Sequence, residues 1–277
     1  MTSNPDDWVD RCRVLARRIR EHCLRMTHRG HSGHVGSMLS MAEILSVLYT
    51  RVLKVDPADP RRPDRDRFVL SKGHGGCAVY AVLGELGFFP KAWFEGYYRD
   101  KGRLMGHISH HVPGVEFSTG SLGHGLPVAV GMALAARRAR RTHRVVCLMS
   151  DGDCDAGSSW EALLFAAQHR LDNLTVIVDY NRIQALGFSR DILDLEPLAR
   201  KLAACHWAVQ EVDGHDVAAL DQALSTLPFE PGQPSWLVCH TVKGKGVSFM
   251  ENTVSCHYGS VDDRQLAQAL RELEAAS

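Results

Sequence analysis

The sequence predicts an α/β fold, a mostly parallel sheet with helices on both faces, on three observations. Short apolar runs at 68–70, 145–149 and 174–179 alternate with stretches of helical periodicity. The runs lack the in–out alternation of a strand with one wet face, as expected of strands buried on both sides. Each ends in a polar turn: Ser71-Lys72-Gly73-His74, Ser150-Asp151-Gly152 and Tyr180-Asn181-Arg182. Polar turns at the carboxyl ends of parallel strands put the candidate site at that edge of the sheet.

The elements follow in order. Val9, Cys12, Leu15, Ile19, Cys23 and Met26 recur at three- and four-residue steps and predict an amphipathic helix over 8–28. A Gly/His/Ser break at 30–37 precedes a second helical stretch at 40–53, and Pro57, Pro60 and Pro63 mark a loop. The strand at 68–70 leads to a helix at 77–86. Residues 101–125, rich in Gly, His and Pro and without periodicity, read as a long functional loop. A helix at 126–140, the strand at 145–149, a helix at 158–170 and the strand at 174–179 come next. Strands at 207–212 and 236–241 flank a helix at 216–226, and an exposed, Leu-spaced helix at 262–276 closes the chain. There is no internal repeat, low-complexity tract or linker, so residues 1–277 are expected to form a single domain.

At 277 residues, 45% hydrophobic and 23% charged, the composition is that of a globular protein with room for a substantial core. Lys plus Arg (32) equals Asp plus Glu (32), which argues against a nucleic-acid or anionic-membrane surface. Basic runs at 11–20, 61–67 and 137–144 read as solvated helix faces and loops. Eight cysteines form no CxxC pair, and Cys147 and Cys239 lie in apolar runs; buried free thiols in a reducing compartment are expected. The acidic start, Met1 to Asp7, lacks the apolar core of a signal peptide, and no apolar run approaches membrane-spanning length. A cytoplasmic location is the expectation.

The most informative spacing is Ser150-Asp151-Gly152 followed by Asn181, thirty residues after Asp151. Each acidic or amide side chain closes a strand, so both can face one point if the strands are neighbours. A carboxylate and an amide oxygen, with room for diphosphate oxygens and water, suit octahedral Mg²⁺. Gly152 allows close backbone approach to a diphosphate, and the helix that follows offers amide donors at its start.

This pairing resembles the thiamine-diphosphate motif, Gly-Asp-Gly with Asn about thirty residues later, with Ser150 in place of the first Gly. Further segments resemble the transketolase family across residues 10–260. Ser32-Gly33-His34-Val35-Gly36 is similar to its Ser-Gly-His-Pro-Gly element. Asp66 to His74 is similar to its strand and turn "DRFVLSxGH". Gly106-His107, Pro113 to Glu116 and Thr119 to Gly125 resemble "GH…PGVE…TGxLGxG". Lys243 to Asn252 with His257 resembles "KGxG…EN…H".

The resemblance implies a thiamine-diphosphate-binding fold of the diphosphate (PP) type and transfer of a two-carbon ketol unit from a ketose or ketose phosphate to an aldose. It implies His34, His74, His107 and His257 as the catalytic funnel. His74 and His107 would meet cofactor phosphate and the reacting carbon's oxygens, and His34 and His257 would handle protons on acceptor and donor hydroxyls. It implies cofactor binding by His74, Gly120, Leu122, Gly123, Asp151, Gly152, Asn181 and Lys243. The metal would be held by Asp151, Asn181 and the Ile183 carbonyl, with Ca²⁺ or Mn²⁺ able to substitute for Mg²⁺. His124 stands where the family carries Gln or His, and its role stays open. His110, His111, His143, His169 and His215 read as surface or capping residues.

One departure stands out. The resemblance expects Glu at 156, part of a carboxylate network between active sites, and the sequence has Ala156; Asp155 or Glu161 are the carboxylates left to substitute. The cofactor also needs a Glu against its aminopyrimidine ring, from a pyrimidine-binding domain that these 277 residues do not contain. The resemblance therefore implies a partner chain carrying that half, and a two-plus-two heterotetramer. Two alternatives share parts of the pattern. The alpha subunit of a 2-oxo acid dehydrogenase or decarboxylase has the Asp-Gly to Asn motif but does not require the Gly-His elements. A non-catalytic subunit retaining the fold draws only on Ala156. A Rossmann enzyme is disfavoured, since no GxGxxG follows an early strand.

Overall fold

The computed structural model describes residues 7–275; the acidic start at 1–6 and position 276 of the predicted last helix lie outside the described residues. Five strands form one sheet: β1 (Arg67–Leu70), β2 (Val145–Ser150), β3 (Leu174–Tyr180), β4 (Ala208–Asp213) and β5 (Ser235–His240). Their order is β1-β2-β3-β5-β4 and every pairing is parallel. Parallel neighbours need crossovers, and helices supply them: α4 (Gly76–Glu85) and α5 (Gly125–Arg138) join β1 to β2, and α6 (Gly157–Gln168) joins β2 to β3. Beyond β3, the short α7 (Ser189–Ile192) and α8 (Leu198–Ala204) lead to β4, and α9 (Val217–Ser225) leads to β5. The sequence pattern did not predict α8, whose apolar positions number too few for a clear period.

Side chains on β1, β2, β3 and β5 alternate between two cores. Phe68, Leu70, Val146, Leu148, Ile177, Leu237 and Cys239 face a layer that includes α1 (Asp7–Gly30), α3 (Ala42–Val47), α4 and α9. Val69, Val145, Cys147, Met149, Val176, Val178, Trp236 and Val238 face α5, α6 and α8. Burial on both faces explains why these strands read as continuous apolar runs. All eight cysteines are free; seven are buried and Cys205 is half-buried.

The helical stretch expected at 40–53 is observed, as α3 running into a π-turn at Leu48–Val52. Within the break expected at 30–37, His34 takes a left-handed backbone (φ 70) and α2 (Val35–Leu39) starts directly after it. Two expectations are corrected. The last helix, α10 (Asp263–Ala275), is not exposed all round: Ala269 and Leu273 are buried in the core shared with α1. The basic runs are not wholly solvated. Arg20 is buried and makes a paired contact with Glu43 at 2.6 Å, which also accepts from His215 at 3.0 Å. Arg65 pairs with Glu116 and Arg144 with Asp66. Among the described residues no helix is long and apolar enough to cross a membrane.

Leu273 sits against Gly246, so α10 is part of the core and its removal has a cost. Leu273→Ala is expected to destabilise the chain by about 2–3 kcal/mol, read as a lower urea midpoint at unchanged slope. An unchanged midpoint would mean that α10 is not docked.

Candidate active site

The site is built at the carboxyl ends of β1, β2, β3 and β5. Register places Ser150 opposite Asp179, so β2 and β3 end side by side and Asp151 and Asn181 emerge as neighbours. Asp151 is buried. Its Oδ2 accepts from Ser189 Oγ at 2.6 Å and its Oδ1 from the Gly152 amide at 3.0 Å. Asn181 Oδ1 accepts from the Ile183 amide at 3.1 Å. The Ile183 carbonyl accepts from the Lys243 ammonium at 2.9 Å, and Lys243 also feels Asp151. Burial pushes the Asp151 carboxyl up to about 6; Asp179 adds to this, while Ser189, Lys243 and the Gly152 amide oppose it. Burial likewise lowers Lys243 to about 8. A carboxyl so placed gains from a nearby cation, and the Ile183 carbonyl already carries one.

Among the described residues no group of three or more His, Cys, Asp or Glu is placed to hold a metal. The donors here are one carboxylate, one amide and one backbone carbonyl, all hard oxygens. That set fits Mg²⁺ or Ca²⁺ completed by oxygens from a ligand and water, and does not fit a soft transition metal.

Two other carboxylates, both completely buried, hold the surrounding turns. Asp153 accepts from Ser71 Oγ (2.7 Å), the Gly123 amide (2.9 Å), the Ser150 amide (2.9 Å) and Ser150 Oγ (3.1 Å). It thereby ties the turn after β1, the 119–125 turn and the turn after β2. Asp179 accepts from Ser40 Oγ at 2.6 Å and also from Lys72 and Thr241. Burial raises the Asp179 carboxyl, but Lys72, Ser40 and Thr241 outweigh it and hold the group below the usual carboxylate range. Gly123 has φ +79 and donates its amide to Asp153. Gly152 lies directly beneath Leu122: a Cβ at 152 would stand 3.3 Å from Leu122 Cδ1.

The four sequence-predicted histidines come together over this floor. The His34 ring lies 5.2 Å from His74, 5.7 Å from His107 and 4.9 Å from His257, and His74 lies 5.6 Å from His257. His74 and His257 are buried, His34 is half-buried and His107 is exposed. His34 is held in its left-handed conformation by its amide, which donates to the His257 carbonyl at 2.5 Å. Burial lowers His34 to about 4, with His107 and Lys243 adding to the effect. Burial, then Lys243, lowers His257 to about 3. Burial, then Lys72, takes His74 well below its ordinary value. His34, His74 and His257 are therefore neutral at pH 7. Lys243 Nζ lies 2.9 Å from His257 Nδ1; as a charged ammonium it can only donate, which leaves Nε2 of His257 as the protonated nitrogen.

Known proteins share this chain's sequence pattern and fold. Residues 11–275 match the family described as transketolase, thiamine diphosphate binding domain. The chain belongs to the transketolase family. It is 42% identical over 214 residues to one of the subunits of the apulose-4-phosphate transketolase of Actinobacillus succinogenes, covering 76% of this chain and 77% of that protein. It is 41% identical over 213 residues to a 6-deoxy-6-sulfo-D-fructose transketolase subunit of a Clostridium species, covering 76% and 78%. It superposes on the transketolase of Leishmania mexicana with a TM-score of 0.90 and 31% identity, covering 95% of this chain and 41% of that one. On the Campylobacter jejuni enzyme the TM-score is 0.90 at 29% identity, covering 96% and 43%. The chain thus spans about two fifths of the length of these solved transketolases.

Within this transketolase frame, the residues that sequence reasoning missed are the pins: Asp153, Asp179, Lys72, Ser40, Thr241 and Ser189. Two signals were available. Ser150 and Asp153 have capping-box spacing, and the structure contains that box. Asp179 is a charge inside an otherwise apolar strand. Near Ala156, Asp155 accepts from Gln184 Nε2 at 2.8 Å, while Glu161 is exposed on α6. His124 is exposed at the start of α5 and makes no side-chain cap.

The low histidine values have a measurable consequence. An ordinary imidazole titrates near 6.5, so His34 and His257 are expected to give neutral-ring NMR signals at pH 6 and to titrate only near 4 and 3. Because the unfolded chain takes up protons at higher pH than the folded one, stability is expected to fall as pH drops from about 6.5 toward 4. Imidazolium signals from both rings at pH 6 would contradict the burial described.

Proposed function

We propose that this chain is the diphosphate-binding subunit of a two-chain transketolase. It would act with a second polypeptide that carries the pyrimidine-binding half, assembled two plus two. The observation that carries the reading is the convergence of four histidine rings over the strand ends that bear Asp151 and Asn181. The names of its 42% and 41% identical relatives, each a transketolase subunit, support a divided enzyme. So does the exposure of Leu122 and His107, which leaves the site half-open. Free thiols fit a reducing compartment such as the cytoplasm.

Thiamine diphosphate would supply the carbon that takes up the two-carbon ketol unit. Asp151, Asn181 and the Ile183 carbonyl would hold its Mg²⁺, with Ser189 orienting the carboxylate. Gly152 and the turn from Gly120 to Leu122 would accept the diphosphate and thiazolium side, with Lys243 and His74 beside them. Neutral His34 is suited to accept a proton from a sugar hydroxyl at pH 7, and His257, protonated at Nε2, is suited to donate a hydrogen bond to one. His107, the exposed ring, would orient oxygens at the entrance. A cluster of this kind serves a polyhydroxylated substrate; a 2-oxo acid has no such hydroxyls to engage it.

The test uses the chain co-expressed with its partner. Titration calorimetry with thiamine diphosphate and Mg²⁺ is expected to show metal-dependent binding. Asp151→Ala or Asn181→Ala is expected to weaken that binding by more than the roughly 10–100-fold typical of losing an outer-shell partner. Ketose phosphates are expected to act as donors for the pair and not for the isolated chain. Unaltered cofactor binding in both variants, or turnover of 2-oxo acids in place of ketoses, would overturn the reading.

A further inference from the structure

We infer that Tyr258 is a specificity-determining residue that reads the part of the sugar chain lying beyond the carbons served by His34 and His257. The inference rests on the transketolase reading and extends it to substrate choice.

Tyr258 combines a fixed backbone with a free side chain. Its carbonyl is pressed against the Ser32-Gly33-His34 turn so closely that a Cβ on Gly33 would fall 2.8 Å from the Tyr258 oxygen. The preceding residue is clamped by the His34 amide on the His257 carbonyl, and the following one by the Gly259 amide on the Ser255 carbonyl at 3.1 Å. Yet the residue is 66% exposed, and none of the described residues hydrogen-bonds its hydroxyl. Its ring stands edge-on to His257 at 4.8 Å and 77°, and to His34 at 5.7 Å and 68°. Tyr258 is thus held at the outer edge of the histidine cluster, next to the two rings assigned to substrate hydroxyls.

The chemistry of that placement is specific. A phenol ring offers an apolar face for the C–H face of a carbon chain, and a hydroxyl that donates and accepts. A polyhydroxylated aldose presents both kinds of surface. With the two-carbon unit and the aldehyde carbon served by the histidines, as the transketolase reading assigns them, the distal carbons, with their hydroxyls or terminal phosphate, are the part left to reach Tyr258 at the edge of the cluster. Short acceptors end before it. Discrimination should therefore grow with acceptor length.

The experiment compares the co-expressed complex with its Tyr258→Ala and Tyr258→Phe forms. One ketose donor is paired with acceptor aldehydes of increasing length, each with and without a terminal phosphate. The readout is the ratio of kcat/KM for the longest acceptor to that for the shortest. Tyr258→Ala is expected to lower this ratio roughly tenfold, the lower end of what one lost side-chain contact commonly yields. Tyr258→Phe is expected to lie between, keeping the ring contact and losing the hydroxyl. Thiamine diphosphate affinity and partner affinity, measured alongside, are expected to match the unaltered complex. Loss by one factor across all acceptors together with weaker partner affinity would make Tyr258 an interface residue and overturn the inference. An unchanged ratio would overturn it as well. If the unaltered complex transfers nothing from any ketose, the functional reading itself fails and takes this inference with it; that outcome is separable because it appears before any substitution is made.

Discussion

Two carboxylates with no access to solvent, Asp153 and Asp179, govern the geometry at the carboxyl edge of the sheet. Taking a charge out of water costs several kcal/mol unless donors surround it. Here the donors come from segments far apart in sequence: Ser71, Gly123 and Ser150 for one, Ser40, Lys72 and Thr241 for the other. The cost of desolvation is offset only when those segments are in place. Each carboxylate therefore acts as a requirement that several turns be correctly positioned together. The candidate ligands are carried by these same turns: Asp151 and Gly152 sit between Ser150 and Asp153, and Asn181 sits two residues past Asp179.

The same low-dielectric floor sets the chemistry above it. Burial, with Lys72 and Lys243 nearby, keeps His34, His74 and His257 neutral at pH 7. Neutral imidazoles can take protons from hydroxyls, which a cluster of imidazolium rings could not do. The two lysines have different tasks. Lys72 is spent inside the fold on Asp179 and the Ser37 carbonyl. Lys243 lies between the Ile183 carbonyl and His257, joining the metal corner to the histidine cluster. The strained, left-handed backbone of His34 belongs to this design, since it brings the ring into contact distance of the other three.

Much of the fold was legible in the sequence because a doubly covered parallel sheet writes itself as short apolar runs, and β1, β2, β3 and β5 did so. Asp151 and Asn181 were legible because their spacing equals one strand–helix–strand unit, which makes them neighbours once β2 and β3 pair. What was illegible depended on partners distant in sequence. Nothing local says that Arg20 in a basic helix will meet Glu43, or that α10 will bury Leu273 against α1. The break at 30–37 was legible, but the left-handed backbone of His34 within it was hidden because a non-glycine residue gives no sign of one. Asp153 and Asp179 carried signals, a capping spacing and a charge within an apolar strand, whose meaning appears only when the donors converge.

In the proposed enzyme, Asp151, Asn181 and the Ile183 carbonyl gather around one divalent ion at the end of β2 and β3. A crystal of the chain with its partner chain, thiamine diphosphate and Mn²⁺, measured at the manganese absorption edge, tests this most directly. The expected result is a single anomalous peak within coordinating distance of those three oxygens, with Lys243 displaced from or sharing the Ile183 carbonyl. A peak elsewhere, or a fully ordered cofactor with no peak at this corner, would contradict it.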